Sequence, residues 1–409
     1  MKILLYTQYF PPETNAPANR WDYFTRYLAN KGHQVVVLTT FPHHPLGKIF
    51  PGYKNRWFYK EERNGVIVLR TGIFVSSSSK FWARALNYLS FSFSSYLNSG
   101  RVKNPDLIIA SVPPLTVGIV GQWISSQKRI PLVVDLRDFW PEAASSTGYL
   151  SSGGFLYRCA RQRARSLYQK ARVILVNSPG LAEELVLGYG ISRGKIQLVY
   201  NGADIEFFES GNPEIIDKRY NLKNKFVVLY TGLLGFAQSP VVMIEAARIL
   251  QKHKDIVFLI VGTGPKYPEL ERKVQDYHLQ NVVLTGLRPR REMPSFVQRA
   301  DICLVPYKNS PVFRRNIPSK IYDYMAAGKP IIINLEGEAS KIILSAQAGI
   351  LIKPNDAQSL AQTILGLKEN KILREKMGFC AQTYARRHYH KREIGELLEA
   401  VLRYVIHKS

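Results

Sequence analysis

Two doubly wound α/β domains are the architecture this sequence predicts, and three observations predict it. Short β-branched apolar runs alternate with helical segments along nearly the whole chain. The alternation falls into two successive series, parted by a polar stretch at 209–225 that carries Gly211-Asn212-Pro213. The chain has 409 residues, more than one ordinary core organises, so two domains of roughly 200 residues are expected.

The first series has apolar runs at 2–7 (KILLYT), 34–39, 66–70, 107–111, 131–135, 173–177 and 196–199. Helical stretches at 18–31, 115–126, 155–171 and 180–189 lie between them. Runs without polar alternation are strands buried on both faces, hence parallel sheets covered by helices. The second series runs through 226–231 (FVVLYT), 256–261, 282–285, 301–305, 330–334 and 349–352. Its helices are expected near 240–253, 266–278, 291–299, 318–327 and 357–369, followed by terminal helices at 372–387 and 392–406. The expected division is 1–205 and 206–387, with helix 388–409 packing back on the first domain. Residues 107–127 carry no charge, but Pro113-Pro114 splits them into a strand and a helix, so no membrane span is expected there.

Lys and Arg total 56 against 31 Asp and Glu, a net charge of +25. Such a surface attracts nucleic acid, anionic lipid or phosphorylated substrates, and charge alone does not choose among them. Cys159, Cys303 and Cys380 are far apart with no Cys-x-x-Cys. That argues against a disulfide framework or zinc site and fits a reducing compartment. The apolar run after Met1-Lys2 is too short for a signal peptide. There is no Gly-x-x-x-x-Gly-Lys-Ser/Thr, and Gly262-Thr263-Gly264 lacks the third glycine of a dinucleotide fingerprint. No Asp-x-Asp occurs, Asp204-Ile205-Glu206 being the nearest approach, and no metal-ligand spacing is present. A bound diphosphate would then be neutralised by Lys, Arg and helix N-termini.

Open α/β sheets bind ligands at the carboxyl ends of their strands, and two such domains facing each other share a central cleft. The loops to inspect are 8–19, 111–115, 135–140, 232–239 (from Gly232), 262–266 (from Gly262), 286–290 and 306–319. Loop 8–19 opens a helix with small residues, which suits an anion or an ordinary turn. In 318–330 (PSKIYDYMAAGKP), Ser319 reads as a helix cap and Gly328 as the terminator. Lys320 and Asp323 share one helix face, where a cation suits phosphate and a carboxylate suits ribose, or the two form a surface ion pair. Arg314-Arg315 are solvated charges or further phosphate ligands. The run 135–141 (DLRDFWP) puts charges at a strand end, more often site than packing. Asn201-Gly202-Ala203-Asp204 is a domain-joining turn or a ligand contact. Segment 80–103, containing Trp82 and Arg84, is aromatic with basic flanks. With the arginines of 156–172, including Arg161 and Arg165, it reads as an interfacial surface for anionic membrane, or as a packed helix beside a solvated one.

Several motifs together resemble the retaining glycosyltransferases of GT-B fold, family GT4, and in particular the bacterial surface-polysaccharide subgroup that includes fucosamine and colanic-acid-type transferases. They are PPE-x-x-A-P-x-x-R (11–20), Gly32-His33, NGxD (201–204), VGxGP (261–265), GLxPR (286–290), AD-x-x-L-x-P (300–306) and SK-x-x-DYMAAGKP (319–330). The resemblance implies two Rossmann-like domains facing a cleft, and no metal. It implies that Arg288 and Pro289 hold the nucleotide base, that Asp323 stands for the family's ribose-binding glutamate, and that 315–319 (Arg315, Asn316, Ile317, Pro318, Ser319) meet the donor sugar and phosphates. Asn15 and Ala16 lie near the diphosphate in the same scheme. The usual Arg and Lys after the second domain's first strand are Leu233 and Gln238 here, the first motif glutamate is Arg315, and a family histidine corresponds to Arg137. Phosphate charge is therefore assigned first to Lys320, then to Arg315. Asp138 is the candidate for positioning the acceptor.

The expected function is metal-independent, retaining transfer of a hexosyl unit from a nucleotide-diphosphate sugar, UDP favoured, to a lipid-linked saccharide. It would work from the cytoplasm at the inner face of the plasma membrane, without nucleic acid. The alternatives are a nucleotide-sugar epimerase of the same fold, a nucleic-acid-binding protein, which +25 permits, and an NAD-dependent oxidoreductase, disfavoured by the broken glycine fingerprint.

Overall fold

The computed structural model describes residues 1–78, 80–146, 148 and 150–407. The chain forms two compact units: Met1–Tyr200 with the tail from Arg392, and Asn201–Lys391.

The first unit is built on strands β1 (Lys2–Tyr6), β2 (Gln34–Thr40), β3 (Phe58–Arg63), β4 (Val66–Thr71), β5 (Leu107–Val112), β6 (Leu132–Leu136), β7 (Val173–Val176) and β8 (Ile196–Leu198). They form one sheet in the order β3-β4-β2-β1-β5-β6-β7-β8. Because successive side chains point to opposite faces, each apolar run feeds two cores. Leu4, Tyr6, Val36, Leu38, Ile108 and Ala110 lie on one face, with helices Leu115–Lys128 and Phe155–Lys170. Ile3, Leu5, Val35, Val37, Leu107 and Ile109 lie on the other, with Trp21, Phe24 and Leu28 of helix Ala16–Asn30. The tail helix Lys391–His407 joins that second face through Ile394, Leu398, Val401, Leu402 and Val405. Each fully buried leucine there stabilises the fold by about 1.5–3 kcal/mol.

The second unit carries β9 (Phe226–Thr231), β10 (Ile256–Val261), β11 (Val282–Gly286), β12 (Ile302–Val305), β13 (Ile331–Ile333) and β14 (Gly349–Leu351), all parallel, in the order β11-β10-β9-β12-β13-β14. The chain leaves β9 toward one edge and returns to β12 on the other side. The topological switch point, where such sheets bind ligands, therefore lies between β9 and β12. In the first sheet it lies between β1 and β5 by the same rule.

One strand departs from expectation. β3 (FYKEER) has no apolar run, and it pairs antiparallel with β4. As an edge strand it has little to bury, and its charges keep the edge from pairing further. The sequence did carry a signal: Asn64-Gly65, both in the left-handed region (φ 53° and 74°), is a two-residue hairpin loop.

Candidate active site

Lys320 is the most unusual cation of the second unit. Helix Ser319–Ala326 follows the β12 loop and places Lys320 in its first turn, at the switch point. The Lys320 Nζ is buried and has no hydrogen-bond partner among the described residues. It lies 3.7 Å from the centroid of the Tyr230 ring, at the end of β9. A Cβ built on Gly232 would stand 3.4 Å from it. Burial pushes its pKa down to about 7, only partly offset by the charge of Asp323. Desolvated ammonium groups without a counter-ion are costly, and such groups cluster at functional sites.

The surrounding loops are tied together by backbone. Leu234 N–H donates to Thr263 O at 3.0 Å, Lys266 N–H to Leu234 O at 2.9 Å, and Lys308 N–H to Ala237 O at 2.9 Å. Gly262 has φ 142°, and a Cβ there would fall 1.9 Å from Gly232 O, so only glycine lets the β9 and β10 loops approach this closely. Tyr230 donates to Leu233 O at 2.7 Å, and Thr231 N–H donates to the Tyr324 hydroxyl at 2.9 Å. Gln238 accepts from Gly235 N–H at 3.1 Å and so shapes the β9 loop.

One sequence expectation changes here, and one alternative falls away. Pro318, not Ser319, occupies the cap position of the helix, and no side chain caps it. Proline has no side-chain oxygen, so the first amides of the helix stay available to an anion. Asp323 does not pair with Lys320. Arg290 grips it bidentately at 3.0 and 3.2 Å, with the guanidinium over the Phe207 and Phe208 rings at 5.1 and 5.0 Å. Arg290 was passed over in the sequence because the motif drew attention to its neighbours Arg288 and Pro289. Arg288 lies 5.9 Å from the Tyr220 ring, and Pro289 is exposed. Arg315 closes the short helix Pro311–Arg314. Asn316 and Ser319 are half-buried, and Ile317 and Pro318 are buried, so those two can offer a ligand only backbone.

The first unit treats its charges differently. Asp135, at the end of β6, is fully buried. Its Oδ2 accepts from Trp21 Nε1 at 2.9 Å and from Ser111 at 2.8 Å, and its Oδ1 lies 3.2 Å from Arg20 Nη2. Arg20 also donates to Tyr200 O and Val199 O at 2.8 and 3.0 Å. Arg137 donates to Ser111 Oγ at 3.1 Å and Pro113 O at 2.8 Å. Its guanidinium is thus engaged within its own unit. Asp138 caps its own turn, accepting from Phe139 N–H at 2.9 Å.

Asn15 caps helix Ala16–Asn30, accepting from Ala18 N–H at 3.0 Å, and Ala16 is exposed beside it. Glu13 is buried and accepts from the backbone N–H groups of His43 and His44 at 2.9 and 2.8 Å. Burial pushes its pKa up to about 7 and that of His44 down to about 3. These three sit in loops after β1 and β2, and no spacing in the sequence signals their meeting.

Helix Phe81–Asn98 is inverted. Trp82, Leu86, Leu89, Phe93 and Leu97, spaced by three and four, form an exposed stripe about 80° wide. The opposite face buries Phe91, Ser94, Ser95 and Asn98. Exposed Trp57 and Trp123 extend the patch, 6.2 Å from Phe93 and 6.1 Å from Tyr96. Arg84 is exposed on the same helix. Phe155 and Leu156 are exposed at the start of the arginine-rich helix. On that helix Arg165 is exposed, while Arg161 packs over the Tyr189 ring at 5.4 Å. Among the described residues no helix is long and apolar enough to cross a membrane, and no group of three or more His, Cys, Asp or Glu could hold a metal ion. A cavity of about 580 Å³ bounded by Arg129, Lys170, Arg172 and Lys195 opens on the first unit at the strands' amino ends, the wrong edge for catalysis.

Comparison with known proteins matches the chain in two halves. Residues 15–202 fit the glycosyl transferase 4-like domain, and residues 212–383 fit glycosyl transferases group 1. WcaI of Escherichia coli (strain K12), named for colanic acid biosynthesis glycosyl transfer, is 25% identical over 92% of this chain and 95% of its own. Among solved structures, the sucrose-phosphate synthase of Thermosynechococcus elongatus superposes with a TM-score of 0.76 at 17% identity, covering 100% of this chain and 99% of that one. Anabaena HepE in complex with UDP-glucose gives 0.72 at 18% identity, covering 99% and 100%. The two sheets, parallel but for the β3 edge, their switch points and both family matches agree: this chain is a GT-B glycosyltransferase, with a glycosyl transferase 4-like half followed by a group 1 half.

Proposed function

We propose that the chain is a retaining, metal-independent transferase that moves a hexosyl unit from a UDP-sugar to a lipid-linked saccharide during surface-polysaccharide assembly. The buried, unpartnered Lys320 Nζ beside uncapped helix amides carries this reading. As the glycosidic bond breaks, negative charge builds on the leaving diphosphate. Lys320, Arg315 and the backbone N–H groups within 316–319, those of Ile317 and Ser319, stabilise that charge. Asp323, steadied by Arg290, receives the ribose hydroxyls, and the 286–290 loop receives the base. No residue stands out as a covalent nucleophile, so the acceptor hydroxyl attacks on the leaving-group side and the departing phosphate takes its proton. Asp138 orients the acceptor. UDP is favoured because similar folds hold it, and polysaccharide assembly because WcaI is named for it.

The acceptor reaches the enzyme on an anionic membrane. Aromatic and leucine side chains in an exposed stripe, with arginines nearby, combine the two attractions that interfacial helices use. The enzyme then works at the inner face of the plasma membrane.

Calorimetric titration with UDP- and GDP-sugars, with and without Mg²⁺, tests the donor site. UDP-sugar binding without Mg²⁺ is expected; binding only with Mg²⁺, or of GDP-sugars alone, overturns the assignment. Sedimentation with vesicles containing phosphatidylglycerol tests the surface. Trp82→Ser combined with Phe93→Ser should abolish binding, and unchanged binding refutes this face.

A further inference from the structure

Lys320 is an awkward phosphate ligand. A surface lysine offers a permanent charge, whereas this one keeps its Nζ out of water with no acceptor in reach. The groups packed around it supply no contacting counter-ion, only the more distant charge of Asp323. From β9 comes the face of Tyr230, 3.7 Å away, with Tyr307 of the β12 loop beyond that ring. From its own helix come Tyr324, whose hydroxyl is engaged with Thr231, and Asp323, whose two oxygens are held by Arg290. The Gly232 backbone contributes no side chain.

We infer that Lys320 stands largely as the neutral amine when the site is empty at slightly alkaline pH, and becomes the ammonium by taking one proton from solvent as the donor's diphosphate arrives. Donor binding is thereby coupled to proton uptake. The inference rests on the reading that this edge holds the nucleotide sugar. The step balances: amine, proton and diphosphate become an ammonium–diphosphate pair. Burial, which pushes the free amine toward neutrality, supports it. A diphosphate a few ångströms away restores the charged form. Because the charge then forms with the ligand, the resting protein carries little buried ammonium above pH 7. On product departure the ammonium loses its partner and the proton returns to solvent.

UDP-glucose is the probe, since its doubly esterified diphosphate does not titrate in this range, whereas a terminal phosphate would, near pH 6. Calorimetry at pH 6, 7 and 8 in buffers of different ionisation enthalpy reads the protons exchanged. Uptake approaching one proton is expected on the alkaline side of neutrality, falling toward none as the pH drops below about 7. Affinity should fall toward tenfold per pH unit above pH 7 and level off below it. No uptake at pH 8, or uptake that persists in Lys320→Met, overturns the inference. A direct reading follows from ¹³C NMR of lysine labelled at the ε-carbon, with the Lys320 signal identified by its loss in Lys320→Met. A midpoint near neutrality in the free protein, moving up by at least two pH units with UDP-glucose or inorganic pyrophosphate, confirms the switch. A midpoint near 10 in the free protein refutes it. If UDP-glucose fails to bind, the donor assignment falls, and the NMR midpoints with pyrophosphate decide the lysine separately.

Discussion

Both units present a buried cation at a carboxyl edge, yet the two cations live in opposite circumstances. Arg20 in the first unit meets Asp135 at 3.2 Å and two backbone carbonyls. Lys320 in the second meets an aromatic face and nothing that accepts a hydrogen bond among the described residues. A buried charge with partners on all sides is architecture, because removing one partner strands the other. A buried charge without partners costs stability, and it persists where something outside the chain completes it. By this measure the second unit is where the proposed donor site belongs. In the first unit Asp135, from the segment the sequence offered as a site, is engaged by Arg20, Trp21 and Ser111.

Perturbing each centre should move a different observable. Asp135→Ala leaves Arg20 buried without its carboxylate and should cost about 3–5 kcal/mol of stability, seen as an earlier denaturation midpoint. A loss below 1 kcal/mol would erase the contrast. Lys320→Met should lower turnover on the order of 10²–10³-fold while the fold persists, measured by sugar release from the donor in the presence of acceptor.

The same Lys320→Met change should raise stability by about 0.5–2 kcal/mol at pH 7. Here the sign follows from linkage. The folded pKa, near 7, lies below that of an unfolded lysine, so the unfolded chain binds more protons between pH 7 and 10. The penalty is therefore full below pH 7 and fades as pH rises toward 10. A gain that grows with pH would contradict the burial argument.

Glu13 sharpens the comparison from the other side. Its folded pKa, near 7, lies above that of an unfolded glutamate, so the native state loses stability as pH rises from about 4.5 to 7. Glu13→Gln should gain about 1 kcal/mol at pH 8 and nothing at pH 4, in thermal melts across that range. Smallest of all, Arg290→Lys should raise the donor KM several-fold with little change in kcat. A lysine keeps the charge but loses the bidentate hold on Asp323.

Legibility from sequence followed physical locality. Strands such as 226–231 and 107–111 were plain because both faces are buried and every residue is apolar. β3 was missed because an edge strand buries little, although its Asn-Gly turn was readable. The place of Lys320 at a helix start was legible in its motif. Its pairing is open in the sequence, since spacing on a helix face cannot reveal that Arg290, 33 residues before Asp323, reaches that carboxylate. The inverted face of helix Phe81–Asn98 was half legible: composition marked it as aromatic, but only packing shows that its serines turn inward and its leucines outward.

Local patterning thus determined what repeats along the chain: the two strand–helix series, the helix starts and stops, and the loops at strand ends. Those features depend on neighbours a few residues apart. The tertiary structure alone decided which charges find partners, because pairing joins residues such as Arg20 and Asp135 across more than a hundred positions. The free energy of a buried charge is set by those distant groups, and so was the difference between a paired arginine and a lysine without a hydrogen-bond partner among the described residues.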